Sequence, residues 1–247
     1  MNHTTTEVLA IIFVATLVRS AFGFGEALVA VPLLALCIPL VVAAPLAVLV
    51  SITIAGVVVI QDWRRIHLRS ATWLIAATFC GLPLGLLLLT STHQRAVKAA
   101  LAVILLSFSA YSLTVRTPPR LESDSRLWLA GCGFCAGILG GAYGMNGPPL
   151  VIYGTMRRWS AQHFRATLQG YFLPASIAGM LGYWLAGLWK PIVNHYYLLS
   201  LPVILPAVGM GRLINHRLHG DIFLKYVYSG LAAIGALLLF QAVHGTI

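Results

Sequence analysis

The chain has 247 residues, of which 59% are hydrophobic and 9% charged, and its mean hydropathy is +0.88. Soluble domains carry about 25% charged residues, so a soluble globular fold is excluded, and the long unbroken apolar stretches exclude a bilayer-spanning barrel of short alternating strands. The formal charge of +10, sixteen basic against six acidic residues, comes with no basic stripe or nucleic-acid module and reads as an orientation signal in a membrane protein.

In chain order, apolar segments occupy 8–38, 40–60, 70–90 and 98–115, then 127–156, 166–188, 195–214 and 222–243. Met1–Thr6 holds no Lys or Arg and no small-residue cleavage site follows, which predicts a retained first helix. The segments 8–38 and 127–156 exceed the ~20 residues of one ordinary span. Each is interrupted by glycines, at 22–25 and at 141–148. Sliding the sequence on itself by 121 residues brings Phe22-Gly23-Phe24-Gly25 onto Tyr143-Gly144-Met145-Asn146. The same shift brings Pro83 onto position 204, between Pro202 and Pro206. The match predicts two structural repeats, 1–120 and 121–247, in one integral membrane domain.

Loop charges decide how the interrupted segments run. If each crosses once, one side holds Arg64, Arg65, Arg69, Arg116, Arg120, Arg126 and Lys190, while the other holds Arg95, Lys98, Arg157, Arg158, Arg165, Arg212, Arg217 and Lys225. Seven against eight gives no orientation. If each instead enters and returns as a hairpin of two short helices, twelve of these fall on one side, leaving Arg95, Lys98 and Lys190 on the other. The expected fold is therefore an all-α polytopic membrane protein with two inverted-topology repeats, each a broken-helix hairpin plus three transmembrane helices. Both termini then lie outside the cytoplasm. The twelve cytoplasmic bases, less Asp62, Glu122, Asp124 and Asp221, give +8; the three outer ones, less Glu7, give +2.

The stretches at the two breaks are Arg19-Ser-Ala-Phe-Gly-Phe-Gly-Glu-Ala-Leu-Val-Ala-Val-Pro32 and Gly140-Gly-Ala-Tyr-Gly-Met-Asn-Gly-Pro-Pro-Leu-Val-Ile-Tyr153. In them the sequence resembles the sulfite exporter TauE/SafE family, bacterial integral membrane transporters for sulfur-containing anions. The second stretch carries the more specific match; the first departs from the family's glycine run at Glu26. The resemblance implies a secondary transporter of sulfite, sulfonate or thiosulfate in the bacterial inner membrane, and no enzyme.

The residues themselves suggest how an anion is held. A helix N-terminus presents unpaired N–H groups and about half a positive charge, and a return helix begins at each break. Asn146 is placed to cap the second return helix and Pro148 fits its first turn. Gly23, Gly25, Gly144 and Gly147 let backbone approach a ligand and take positive φ; the alternative is tight helix packing, as at Gly133 and Gly137. Arg19 and Glu26 are charges deep in an apolar segment, expected to pair across the break. Arg19 then attracts the anion and Glu26 is a protonatable group that couples transport to protons; the alternative is a static pair pinning two half-helices.

Tyr143 and Tyr153 flank the second break, and Gln169 and Tyr171 follow a basic loop, where each is a candidate to bond substrate oxygens or, for the tyrosines, to pack or anchor. Arg165 either draws anions to the mouth or sets topology. Pro83, Pro202 and Pro206 are candidate kinks. Cys132-Gly-Phe-Cys135 has the C-x-x-C spacing of thiol redox proteins in an apolar setting that favours packing. The eight histidines lack metal spacing, and no metal or cofactor is expected. Expected partners are a small anion and the lipid bilayer, with no nucleic acid; a homodimer stays open. The competing functions are an anion channel with the same site, and an intramembrane thiol redox protein using Cys132 and Cys135.

Overall fold

A computed structural model describes residues 3–62, 68–91, 93–114, 126–157, 161–215 and 220–244. These residues form α1 (His3–Phe22), α2 (Glu26–Cys37), α3 (Leu40–Asp62), α4 (Leu68–Thr90), α5 (Gln94–Thr114), α6 (Arg126–Tyr143), α7 (Gly147–Met156), α8 (Ala161–Leu185), α9 (Pro191–Asn215) and α10 (Gly220–His244). No strand occurs among them. With little water to hydrogen-bond, an apolar chain in a bilayer must satisfy its backbone internally, which these helices do.

Stretches of α1, α3, α4, α5 and α9 are long and apolar enough to cross a membrane, with mean hydropathy from 1.4 to 2.5. The protein is a multi-pass membrane protein. Of the α3 stretch 72% is buried inside the protein, against 33% for α4, α5 and α9, so α3 forms the centre and the others face lipid. Trp73, Phe79, Leu87, Leu198 and Leu205 are accordingly exposed, as lipid-facing side chains are.

Close helix approach comes from small residues, because apolar side chains gain little by leaving lipid for each other. A Cβ added to Gly81, Gly85, Gly137 or Gly141 would collide with backbone of the facing helix, so α4 and α6 meet almost backbone to backbone. Tight packing at Gly133 and Gly137 was expected; the seam extends to Gly141 and has its glycine partners on α4. Gly211 plays the same part where α9 meets Leu17 and Ser20 of α1. The remaining large pairings are α5 with α10, α3 with α8 and α4 with α8. Exchanging α1–α5 with α6–α10 turns the α4–α6 pairing into α9–α1 and leaves α3–α8 and α5–α10 in place.

Both interrupted segments are broken where expected. Gly23, Gly25 and Gly144 take φ of 81°, 96° and 67°, a region that costs other residues about 1–2 kcal/mol, so helix cannot continue there. The first break reverses the chain, since Cys37 at the end of α2 comes back beside Glu7 near the start of α1. The arms are not both short, however. α1 has 20 residues and α6 has 18, against 12 and 10 for α2 and α7. At ~1.5 Å per residue α1 alone reaches about 30 Å, a bilayer's hydrocarbon thickness. Pro83 lies within α4, and Pro202 and Pro206 within α9, each inside one continuous helix. The basic loops at 63–67, 115–125, 158–160 and 216–219 lie outside the described residues, as do the side chains of Arg69, Arg126, Arg165, Arg212 and Lys225.

Candidate functional site

α1 ends one turn beyond Arg19, and α2 opens on Glu26 with Gly25 as its left-handed N-cap. This local geometry brings the two charges of the first break together: Arg19 Nη1 donates to Glu26 Oε2 at 2.6 Å. The pair is deeply buried, with Glu26 only 1% exposed. The same Nη1 donates to Ser51 Oγ of α3 at 2.5 Å, and Ser176 Oγ of α8 stands 3.5 Å from Ser51 Oγ. On its other side the guanidinium lies over the Phe172 ring of α8, 5.1 Å from the centroid, a cation–π distance. Both hydrogen bonds leave from Nη1, so Nη2 and Nε keep their donors for another group. Glu26 Oε1 is likewise buried without a hydrogen-bond partner.

A small cavity, open at its mouth, lies against this pair. Its walls come from both breaks: Phe24 to Leu28 on one side and Gly144 to Pro148 on the other, with Ser51, Val151, Phe172 and Ser176 between. The start of α2 and the start of α7 therefore face one space. Their offers differ. No side chain caps α2 at Gly25, and its first-turn N–H groups are without helical acceptors. α7 begins Gly147-Pro148-Pro149, and two prolines remove two of its first donors. A Cβ on Gly147 would meet nothing within 4 Å, so that glycine answers to the open cavity rather than to packing. Gly144 answers to both, with positive φ and Val48 and Ala44 pressed close.

Of the residues singled out from the sequence, Arg19, Gly25, Glu26, Gly144, Asn146, Gly147 and Pro148 line the cavity. Gly23 shapes the break without lining it. The Asn146 side chain turns toward α6, where its Oδ1 would block a Cβ on Gly140. Tyr143 faces away from the cavity and donates to the Val97 carbonyl of α5 at 2.9 Å. The Gln169 and Arg165 side chains lie outside the described ones. Tyr171 is neither an interfacial anchor nor a cavity wall: it is fully buried, its hydroxyl 2.7 Å from Thr78 Oγ1, which in turn lies 3.0 Å from the Gly133 carbonyl. Tyr153 is buried on α7. Cys132 and Cys135 are free thiols on α6, half-buried and exposed, away from the cavity.

Ser51, Phe172 and Ser176 were not anticipated. A serine or phenylalanine in an apolar helix carries no signal by itself; the hydroxyls of Ser51 and Ser176, inside otherwise apolar runs, were the available clue.

The arrangement suits a small anion: one buried guanidinium with spare donors, one uncapped helix start, two hydroxyls and an aromatic face. Compared with known proteins, residues 8–239 match the family model of the sulfite exporter TauE/SafE. No curated protein and no solved structure matches the chain.

Proposed function

The chain belongs to the sulfite exporter TauE/SafE family, a family of membrane transporters, and on that premise we propose that it is a secondary transporter of small sulfur-containing anions of the sulfite, sulfonate or thiosulfate class. The observation that carries the reading is the Arg19 guanidinium, held by Glu26 and Ser51 in a cavity walled by both helix breaks. The anion's oxygens take Nη2 and Nε of Arg19 and the free N–H groups at the start of α2, with Ser51 and Ser176 as further donors. Gln169 of α8 is a further candidate to hydrogen-bond the anion's oxygens.

Transport runs by alternating access, the two halves rocking about a site near the bilayer midplane, and Glu26 couples it to protons. The helix pairings that survive exchange of the halves support two inverted repeats, 1–120 and 121–247. In this reading the protein sits in the bacterial inner membrane, and the division of basic residues between its loops supports both termini lying outside the cytoplasm. Nothing in this mechanism calls for covalent chemistry or a cofactor, and the thiols at Cys132 and Cys135 stand apart from it.

Uptake of sulfite, thiosulfate and alkanesulfonates into proteoliposomes under an imposed pH step tests the reading. Uphill accumulation of at least one of them is the expected result. Movement that only runs downhill identifies a channel, and no movement of any of them rejects the anion site.

A further inference from the structure

The cavity contains one fixed positive charge and one fixed negative charge, Arg19 and Glu26, and its other walls are uncharged. Among the described residues packed around α2, Arg19 of α1 is the one charged residue acting on Glu26. α3 contributes the Ser51 hydroxyl, the cavity walls from α7 and α8 contribute no titratable group, and α10 brings no charged group against it among the described residues. The empty site is therefore neutral.

A carrier must pass between its two facing states both empty and loaded. An isolated charge inside the bilayer is costly, so each of these passages is easiest with a neutral site. A monoanion bound alone takes the site to −1. A proton on Glu26 returns it to zero, and Oε1 is the atom free to take it, because Oε2 is held by Arg19.

We infer, resting on the reading of this cavity as the anion site, that each bound monoanion enters together with one proton, so that transport is a one-to-one anion–proton symport that moves no net charge. On loading, an O–H bond forms at Glu26 Oε1 and that proton faces the anion, which accepts from it while Arg19 Nη2 and Nε donate from the other side. On unloading, the same O–H bond breaks and the proton leaves to the side that receives the anion. Glu26 and Arg19 remain paired through Oε2, and the empty site returns neutral.

Methanesulfonate is the suitable probe, since its sulfonate stays a monoanion through the working pH range. Proteoliposomes containing the full chain are given labelled methanesulfonate, with a pH difference imposed and the membrane potential either clamped at zero or set inside-negative by potassium and valinomycin. The symport accumulates methanesulfonate by about tenfold per pH unit toward the alkaline side, and setting the potential leaves that value unchanged. Glu26→Gln loses accumulation on a pH step, and Glu26→Asp, which restores a carboxylate, recovers it. Wild-type accumulation that follows the potential instead of pH overturns the inference and leaves the anion site standing, as does pH-driven accumulation by Glu26→Gln. Failure of the wild type to move methanesulfonate, sulfite or thiosulfate overturns the transport reading and this inference with it.

Discussion

Ser51 and Phe172 hold opposite sides of a single guanidinium, Ser51 Oγ accepting from Arg19 Nη1 at 2.5 Å and the Phe172 ring lying 5.1 Å from its centre. They stand 172 − 51 = 121 residues apart, which is the offset at which Phe22–Gly25 matches Tyr143–Asn146. Corresponding positions of α3 and α8, the helices that pair with each other across the two halves, thus meet at one cation. The charge comes from the first half alone: the same offset places Gly140 opposite Arg19 and Gly147 opposite Glu26. In the proposed two-repeat reading the charge pair is asymmetric, so the proposed anion site is single rather than double.

Removing Arg19 leaves Glu26 as a buried carboxylate with no counter-charge. Breaking such a pair from one side costs about 3–5 kcal/mol. Arg19→Ala is expected to lower the thermal unfolding temperature of the purified protein sharply and to abolish anion transport. The double variant Arg19→Met with Glu26→Gln recovers most of the stability and none of the transport. Equal stability of single and double variants would show that the pair carries no such strain.

The glycine seam between α4 and α6 gives a contrast within one helix. A Cβ at Gly137 would strike the Thr78 carbonyl and come within 3.0 Å of Gly81 Cα, whereas one at Gly131 would meet nothing within 4 Å. Gly137→Leu is expected to destabilise by at least the ~1–3 kcal/mol typical of overpacking, and Gly131→Leu by far less. Thermal unfolding in detergent compares them directly.

In the proposed topology, which rests on the twelve-to-three division of basic residues in the sequence, the C-terminus lies outside the cytoplasm. A reporter enzyme that works only in the cytoplasm is expected to be inactive when fused after Ile247, and one that works only in the periplasm to be active. The reverse pair of results would turn the whole topology over.

Cys132 and Cys135 carry no part of the proposed transport, so replacing both with alanine is expected to leave uptake within about twofold of the wild type, the range of a mild packing change. Loss of function in that double variant would favour the redox reading.

The parts of this structure that were legible in the sequence are those written locally. The breaks fall inside the glycine-rich stretches, at Gly23, Gly25 and Gly144, although Gly140 and Gly141 stay within α6, and two opposite charges seven residues apart in an apolar run find each other because no other charge lies near them in the sequence. The rest depends on which face a helix turns inward, and that is set by its neighbours. Tyr143 adjoins the second break in sequence, yet its helix face points to Val97 on α5. Tyr171 follows a basic loop, yet α8 carries its ring into the core against Thr78. Ser51 is one of two hydroxyl residues in α3, with Thr53, and only the crossing of α3 with α1 and α8 distinguishes it. Gly133 and Gly137 announced a close contact, but its partners, Leu74 and Ala77 for the first and Thr78 and Gly81 for the second, lie in another segment at no fixed sequence distance.

In the proposed function a small sulfur oxyanion occupies the cavity at Arg19. Thermal unfolding of the purified protein against a concentration series of sulfite, thiosulfate, methanesulfonate and small carboxylates tests it most directly, because a ligand that binds only the folded state stabilises it by mass action. Saturable stabilisation by at least one sulfur oxyanion, absent in the folded Arg19→Met with Glu26→Gln variant, is the predicted result. No stabilisation by any of these anions, or the same stabilisation in that variant, would contradict it.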